Sequence, residues 1–179
     1  TQGTFATTGN GLDVAIDGAG YFQVEMPDGR TGYTRAGNFG RAPDGTIVTS
    51  DGKPVTPAIQ IPEDATNVSI GADGTVSATG ADGTMTELGR IEIARFANPA
   101  GLQAIGGNLL VETQASGAPQ VGGAGEEGRG TLRGGMLEGS NVNVVEELVD
   151  MIETQRAYEV NSKMISATDE MMKNASQTL

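Results

Sequence analysis

Carboxylates, lysines, tyrosines and hydroxyls are the side chains from which this chain would have to draw chemistry, because its 179 residues include no His and no Cys. That absence excludes Ser/His and Cys/His nucleophilic couples, disulfides, and thiolate or imidazole zinc sites. Paired carboxylates could still cleave a glycosidic bond, since that reaction needs only two acids at a set separation. Glu126 and Glu127 are adjacent, but they fall in "ASGAPQVGGAGEEGRG", 115–130, which reads as a flexible loop with little to bury. A catalytic pair needs rigid support, which such a loop does not offer. Most other acids occupy turn positions, such as Asp28 and Asp51, where they are expected to be solvated.

Gly-rich pieces such as "GNGLDVAIDGAG" resemble phosphate loops only superficially: neither Gly-x-Gly-x-x-Gly nor Gly-x-x-x-x-Gly-Lys-Ser/Thr is completed. The segment "GADGTVSATGADGTM" repeats Gly-Ala-Asp-Gly-Thr, at Gly71 to Thr75 and Gly80 to Thr84. Calcium-binding nonapeptide rolls need Gly-Gly-x-Gly-x-Asp in successive turns, so two hairpin turns are the better reading. Catalytic residues, metal ligands and a cofactor are all expected to be absent.

The elements that would hold such residues are mainly β. Asp-Gly occurs six times, at Asp17-Gly18, Asp28-Gly29, Asp44-Gly45, Asp51-Gly52, Asp73-Gly74 and Asp82-Gly83, and suits hairpin turns. Between the turns the pattern alternates: Leu12, Val14 and Ile16 against Asp13 and Ala15; Val68 and Ile70 against Ser69; Ile91, Ile93 and Arg95 against Glu92 and Ala94. Period two with frequent turns predicts an antiparallel, hairpin-rich β domain. Aromatic content is 4% and there is no Trp, so the core must be built mostly from Val, Ile, Leu, Met and Ala.

All 28 Gly and all 7 Pro precede residue 140. Both residues are costly in helix interiors, so a turn-rich body should give way there to uninterrupted helix. The expected division is an extended arm at 1–10, a β body at 11–139 and a long C-terminal helix at 140–179. Ser140, Asn141 or Asn143 can cap that helix, and Glu146, Glu147 and Asp150 in its first turns complement its dipole. Both parts are acidic, with a formal charge of −12 at pH 7, which argues against a nucleic-acid partner. No segment approaches the ~18 consecutive apolar residues of a membrane span, and no signal peptide is visible. Starting at Thr1, the chain reads as a processed product or a piece of a longer protein.

The helix carries apolar residues on several faces. One stripe runs Val144, Leu148, Met151, Gln155, Tyr158, Ser162, Ile165, Asp169, Met172, in coiled-coil spacing with three polar positions. A second, distal stripe holds Val160, Met164, Ala167 and Met171, and a third near the start holds Val145, Val149 and Ile152. A helix lying on its own domain needs one such stripe. Several stripes point to several neighbouring helices.

"SNVNVVEELVDMIETQRAYEVNSKMI" (140–165) resembles the C-terminal signature of bacterial flagellar axial proteins, the basal-body rod family, and is most similar to the distal-rod members. "LDVAIDGAGYFQV" (12–24), "YTRAGNFGRAPDGTIVTSDGKPV" (33–55) and "FANPAGLQAIGGNLLVETQASGAP" (96–119) match the same family in order. Gly11 stands where the family often has Pro or Ser. The resemblance implies an exported structural subunit of the rod that crosses the periplasm, with no enzymatic activity. Its terminal helices would associate in an inner tube around the export channel, and its β domain would form the outer layer. It also implies self-association into a helical rod, with other rod proteins, hook protein and surrounding ring proteins as partners. The assembly interface would comprise Val144, Leu148, Met151, Tyr158, Val160, Met164, Ile165, Met171 and Met172. Alternatives are a paralogous rod or hook protein or, in a different class, a secreted carbohydrate-active β domain.

Overall fold

The computed structural model describes residues 2–140 and 144–177, excepting the side chains of 144–146, 170 and 173–177. The chain divides into two compact units, Thr1–Gly139 and Ser140–Leu179. In chain order the first unit carries strands β1 (Phe5–Thr7), β2 (Val14–Asp17), β3 (Tyr21–Glu25), β4 (Thr31–Thr34), β5 (Gly40–Arg41), β6 (Ile47–Val48), β7 (Val55–Thr56) and β8 (Ala65–Ile70). It continues with β9 (Thr75–Gly80), β10 (Met85–Arg90), β11 (Glu92–Arg95), β12 (Gln103–Gly106), β13 (Leu109–Val111), β14 (Gln120–Gly123), β15 (Thr131–Gly134) and β16 (Met136–Glu138). The second unit is helix α1 (Val144–Gln177). The mainly β class, with antiparallel hairpins followed by one long helix, is what the alternation and the Gly/Pro boundary predict.

The largest sheet runs β12-β13-β4-β3-β11-β14, with β7 also paired to β3. A second sheet, β10-β9-β8, and the pairs β1-β16, β2-β15 and β5-β6 complete the body. Every one of these pairings is antiparallel. The main core brings Val14, Ile16, Phe22, Val24, Phe39, Ile47, Val55, Ile70, Val76, Ile91, Ile93 and Leu132 together from elements spread along the body. With so few aromatics, ring contacts sit at chosen points: Phe22 meets Phe39 edge-on at 5.0 Å, and Tyr33 meets Phe96 at 4.8 Å in a smaller second cluster.

Five of the six Asp-Gly pairs share one turn. In each, residues 26–30, 42–46, 49–53, 71–75 and 80–84, the first amide donates to the fifth carbonyl and the fourth amide donates back to the first carbonyl. The fourth residue is Gly29, Gly45, Gly52, Gly74 or Gly83, with φ between +78° and +94°. This is a three-residue hairpin loop, a type I turn closed by a left-handed glycine, and not the two-residue loop in which Asp would also need positive φ. The sixth pair works differently: Asp17 ends β2, where Arg133 holds its carboxylate through Nε at 2.9 Å and Nη2 at 2.6 Å.

The stretch 115–130 departs from the expected flexible loop. It contains β14, which pairs with β11 in the largest sheet, and Ala124, which joins the core. Arg129 folds its guanidinium, only 4% exposed, onto the space left by the absent side chain of Gly122. Its Nε donates to the Gly123 carbonyl at 3.0 Å, and Arg90 lies in the same way over Gly123. Two arginines thus supply the packing that a Gly-rich strand lacks.

Candidate assembly surface

Helix α1 contains no Gly or Pro over Val144–Gln177 and is built largely from residues with good helix propensity. The Thr154, Ser166 and Thr168 hydroxyls donate to the carbonyls of Asp150, Ser162 and Met164, one turn back. Those polar groups therefore need no external partner and leave the helix surface less polar than its sequence suggests.

Every described side chain of α1 is exposed, including its large apolar residues, from Leu148 and Ile152 at 51% to Tyr158 at 77%. Met151, Val160, Met164, Ile165, Met171 and Met172 lie within that range. The Val144 side chain falls outside the described residues. Exposed large apolar residues on consecutive turns are what an interaction surface would present, because leaving them in water gains nothing.

The apolar faces change along the helix. At about 100° per residue, Leu148, Met151 and Ile152 cluster on one side near its start, while Asp150 and Glu153 take the opposite side. Beyond Tyr158 that opposite side becomes apolar: Val160, Met164 and Met171 form one ridge, and Tyr158, Ile165 and Met172 another, roughly 120° away. A single flat neighbour could not cover all of these positions.

Within the body, the strands next to the helix's sequence are pinned by a polar hub. Glu138 on β16 accepts from the Gly3 amide at 3.0 Å through Oε1, and from Arg35 Nε at 3.0 Å through Oε2. Arg35 Nη2 lies 2.9 Å from the same Oε2 and also donates to the Ile16 carbonyl at 3.1 Å. Nη1 donates to the carbonyls of Gly18 and Gly20, both at 3.1 Å. The Gly139 amide donates to Thr4 at 2.7 Å and Gln2 Nε2 donates to Ile16 at 2.6 Å. One Arg–Glu pair therefore joins the start of the chain, β2, the loop after it and the last strand. Sequence reasoning missed this hub: Arg35 lies inside "YTRAGNFG" (33–40), but neither spacing nor periodicity links it to a residue 103 positions away.

The other candidate chemistry is structural. Glu126 pairs with Arg90 at 3.0 Å and Glu127 with Arg129 at 3.1 Å, so both acids are engaged by arginines. Asp28, Asp44, Asp73 and Asp82 are exposed in their turns, as expected from the sequence. A cleft of about 130 Å³ is lined by Thr34, Asn38, Thr49, Asp51 and Asn108, and another of about 210 Å³ by Asn10, Arg41, Asn67 and Val68. Neither brings two carboxylates together. Among the described residues no group of three or more acids is arranged to hold a metal ion.

Two family models match. Residues 15–78 match the "Flagellar hook protein FlgE/F/G D1 domain", and residues 133–178 match the "Flagellar basal body rod FlgEFG protein C-terminal" model, which spans α1 and the strand leading to it. The chain is 48% identical over 178 residues to the flagellar basal-body rod protein FlgG of Buchnera aphidicola subsp. Acyrthosiphon pisum, covering 99% of this chain and 68% of that protein. It is 49% identical over 180 residues to FlgG of Agrobacterium fabrum, covering all of this chain and 69% of the relative. The flagellar hook protein FlgE of Borreliella burgdorferi is similar over a shorter reach, 42% identical over 86 residues, which is 48% of this chain and 20% of that protein. An unbroken match from β body through helix, at nearly half identity, separates the rod proteins from the hook protein. The chain belongs to the FlgG family of flagellar basal-body rod proteins.

Proposed function

We propose that this chain is a structural subunit of the flagellar distal rod, in the basal body, which polymerises into a tubular shaft that carries torque from motor to hook and encloses the export channel. The observation that carries the reading is α1: a helix in a family-matched segment with exposed apolar residues on faces that diverge along its length. An open helical array forms when one surface of a subunit meets a different surface of the next. Such an array gives each helix several non-equivalent neighbours, and the diverging ridges suit that geometry. Leu148, Met151, Tyr158, Val160, Met164, Ile165, Met171 and Met172, with Val144, are the proposed interface. Other rod proteins, hook protein and the surrounding rings are the proposed partners, and the subunit's role is mechanical and not enzymatic.

Leu148→Asp tests the reading. Placing a carboxylate in a helix–helix interface costs several kcal/mol, about 2–7 for an unpaired polar group and more for a charge. The variant should keep the β body folded, seen as an unchanged thermal transition, while losing rod assembly and motility. Normal swimming by cells carrying only this variant would sink the proposal.

A further inference from the structure

The five shared turns are alike in backbone and differ in how they hold their aspartate. In four of them the Asp Oδ1 accepts from the amide two residues on: Arg30 to Asp28 at 3.0 Å, Thr46 to Asp44 at 3.0 Å, Thr75 to Asp73 at 3.1 Å and Thr84 to Asp82 at 3.1 Å. Three of these aspartates also accept from a further side-chain group: the Arg30 guanidinium on Asp28 and the Thr75 and Thr84 hydroxyls on Asp73 and Asp82. These donors hold the carboxyls of Asp28, Asp44, Asp73 and Asp82 below the usual aspartate range, because each hydrogen bond favours the charged form.

The fifth turn breaks the pattern. The amide that should reach Asp51, that of Lys53, donates instead to Thr49 Oγ1 at 3.1 Å. Asp51 is exposed and, among the described residues, retains only the Lys53 ammonium, 3.2 Å from Oδ2. A single ion pair between side chains holds the carboxyl's rotamer and its distance from the following amide less firmly than a bond from a backbone amide.

We infer that Asp51–Gly52 is the chain's site of spontaneous aspartate isomerisation. The Gly52 nitrogen attacks Cγ of the protonated Asp51 carboxyl, forming an N–C bond. The amide proton and the carboxyl hydroxyl leave as water, giving a five-membered succinimide. Water then opens the ring at either carbonyl, restoring aspartate or placing the backbone through the side chain as isoaspartate, with no net change in mass. Glycine at the second position leaves the attacking nitrogen unshielded. In the other four turns the same attack must first break the bond that holds Oδ1, and at Asp17 it must displace Arg133. The product adds a backbone methylene between β6 and β7. That would disturb the Thr49–Lys53 hydrogen bonds and, beyond them, Val55, which is 2% exposed in the core.

The test is to incubate the full chain at neutral pH and physiological temperature, then map isoaspartate by peptide separation and enzymatic methylation of isoaspartyl carboxyls. Isoaspartate should accumulate at position 51 several-fold faster than at 17, 28, 44, 73 or 82. Equal or faster accumulation at any of those sites overturns the inference. Thr49→Ala frees the Lys53 amide to bond Asp51 and should slow the reaction at 51 several-fold. An unchanged rate in that variant, with the native thermal transition retained, would also overturn it; the ranking in the unmutated chain decides the matter if the variant does not fold.

Discussion

Arg35 shows how one residue can organise a surface it does not belong to. Its guanidinium donates to three backbone carbonyls and to Glu138, and it is 28% exposed against 14% for its partner's side chain. At that burial the pair is neither a solvent-screened surface contact nor a fully desolvated one. The carbonyls of Gly18 and Gly20 matter more, because removing the donor takes the Arg35 bond from both, while the Ile16 carbonyl keeps its bond from Gln2 Nε2. Arg35→Met should therefore destabilise the body by about 2 kcal/mol, in the range for hydrogen bonds to charged groups. Glu138→Gln should cost less, since the amide oxygen can still accept from Gly3 or from Arg35. Urea unfolding of both variants checks the order. A loss for Arg35→Met under about 0.5 kcal/mol, the scatter of ordinary surface changes, would show that the hub is not stabilising.

Turns are the elements in which sequence and structure correspond most closely, and they also show where the correspondence stops. Asp-Gly marks each of the five hairpin loops because the left-handed residue must be Gly, whatever surrounds it. What surrounds it sets the cost of change. A Cβ at Gly45 would lie 2.5 Å from the Ile61 carbonyl oxygen, whereas one at Gly29 would have nothing within 4 Å. Gly29→Ala should cost about 1–2 kcal/mol, the strain of a left-handed alanine, and Gly45→Ala clearly more because the Ile61 backbone must also move. Thermal denaturation of the pair would decide it, and equal losses would mean that the 45 turn relaxes freely. The burial of Val14, Ile16 and Ile93 was legible for the same local reason, but the alternation was not kept: Asp13, Ala15 and Ala94, expected on the other face, are buried too. The 115–130 stretch was not, because its order comes from Arg90 and Arg129 lying over Gly122 and Gly123, a packing between residues whose composition alone reads as solvated. The apolar positions of α1 were legible from spacing, but the Arg35–Glu138 hub depends on a pairing across the whole body.

At the scale of the molecule, the two units differ in what stabilises them. Every residue of the main core lies between Val14 and Leu132, and the hub and the β1-β16 pair close the body by Gly139. The body therefore has the burial and the closure needed to fold without residues 140–179. Helix α1 has exposed apolar ridges, and most helical stability in proteins comes from packing such a face against partners. Removing residues 140–179 should leave the cooperative thermal transition of the body where it was. It should take away a helical circular-dichroism signal that, in the full chain alone, melts broadly and at lower temperature than the body. The same truncation should abolish polymerisation, since it removes the proposed interface and leaves the β surfaces intact. A truncated body that loses its cooperative transition, or unfolds well below the full chain, would mean that α1 spends its apolar faces on the body. The diverging ridges would then need an explanation other than several neighbouring subunits.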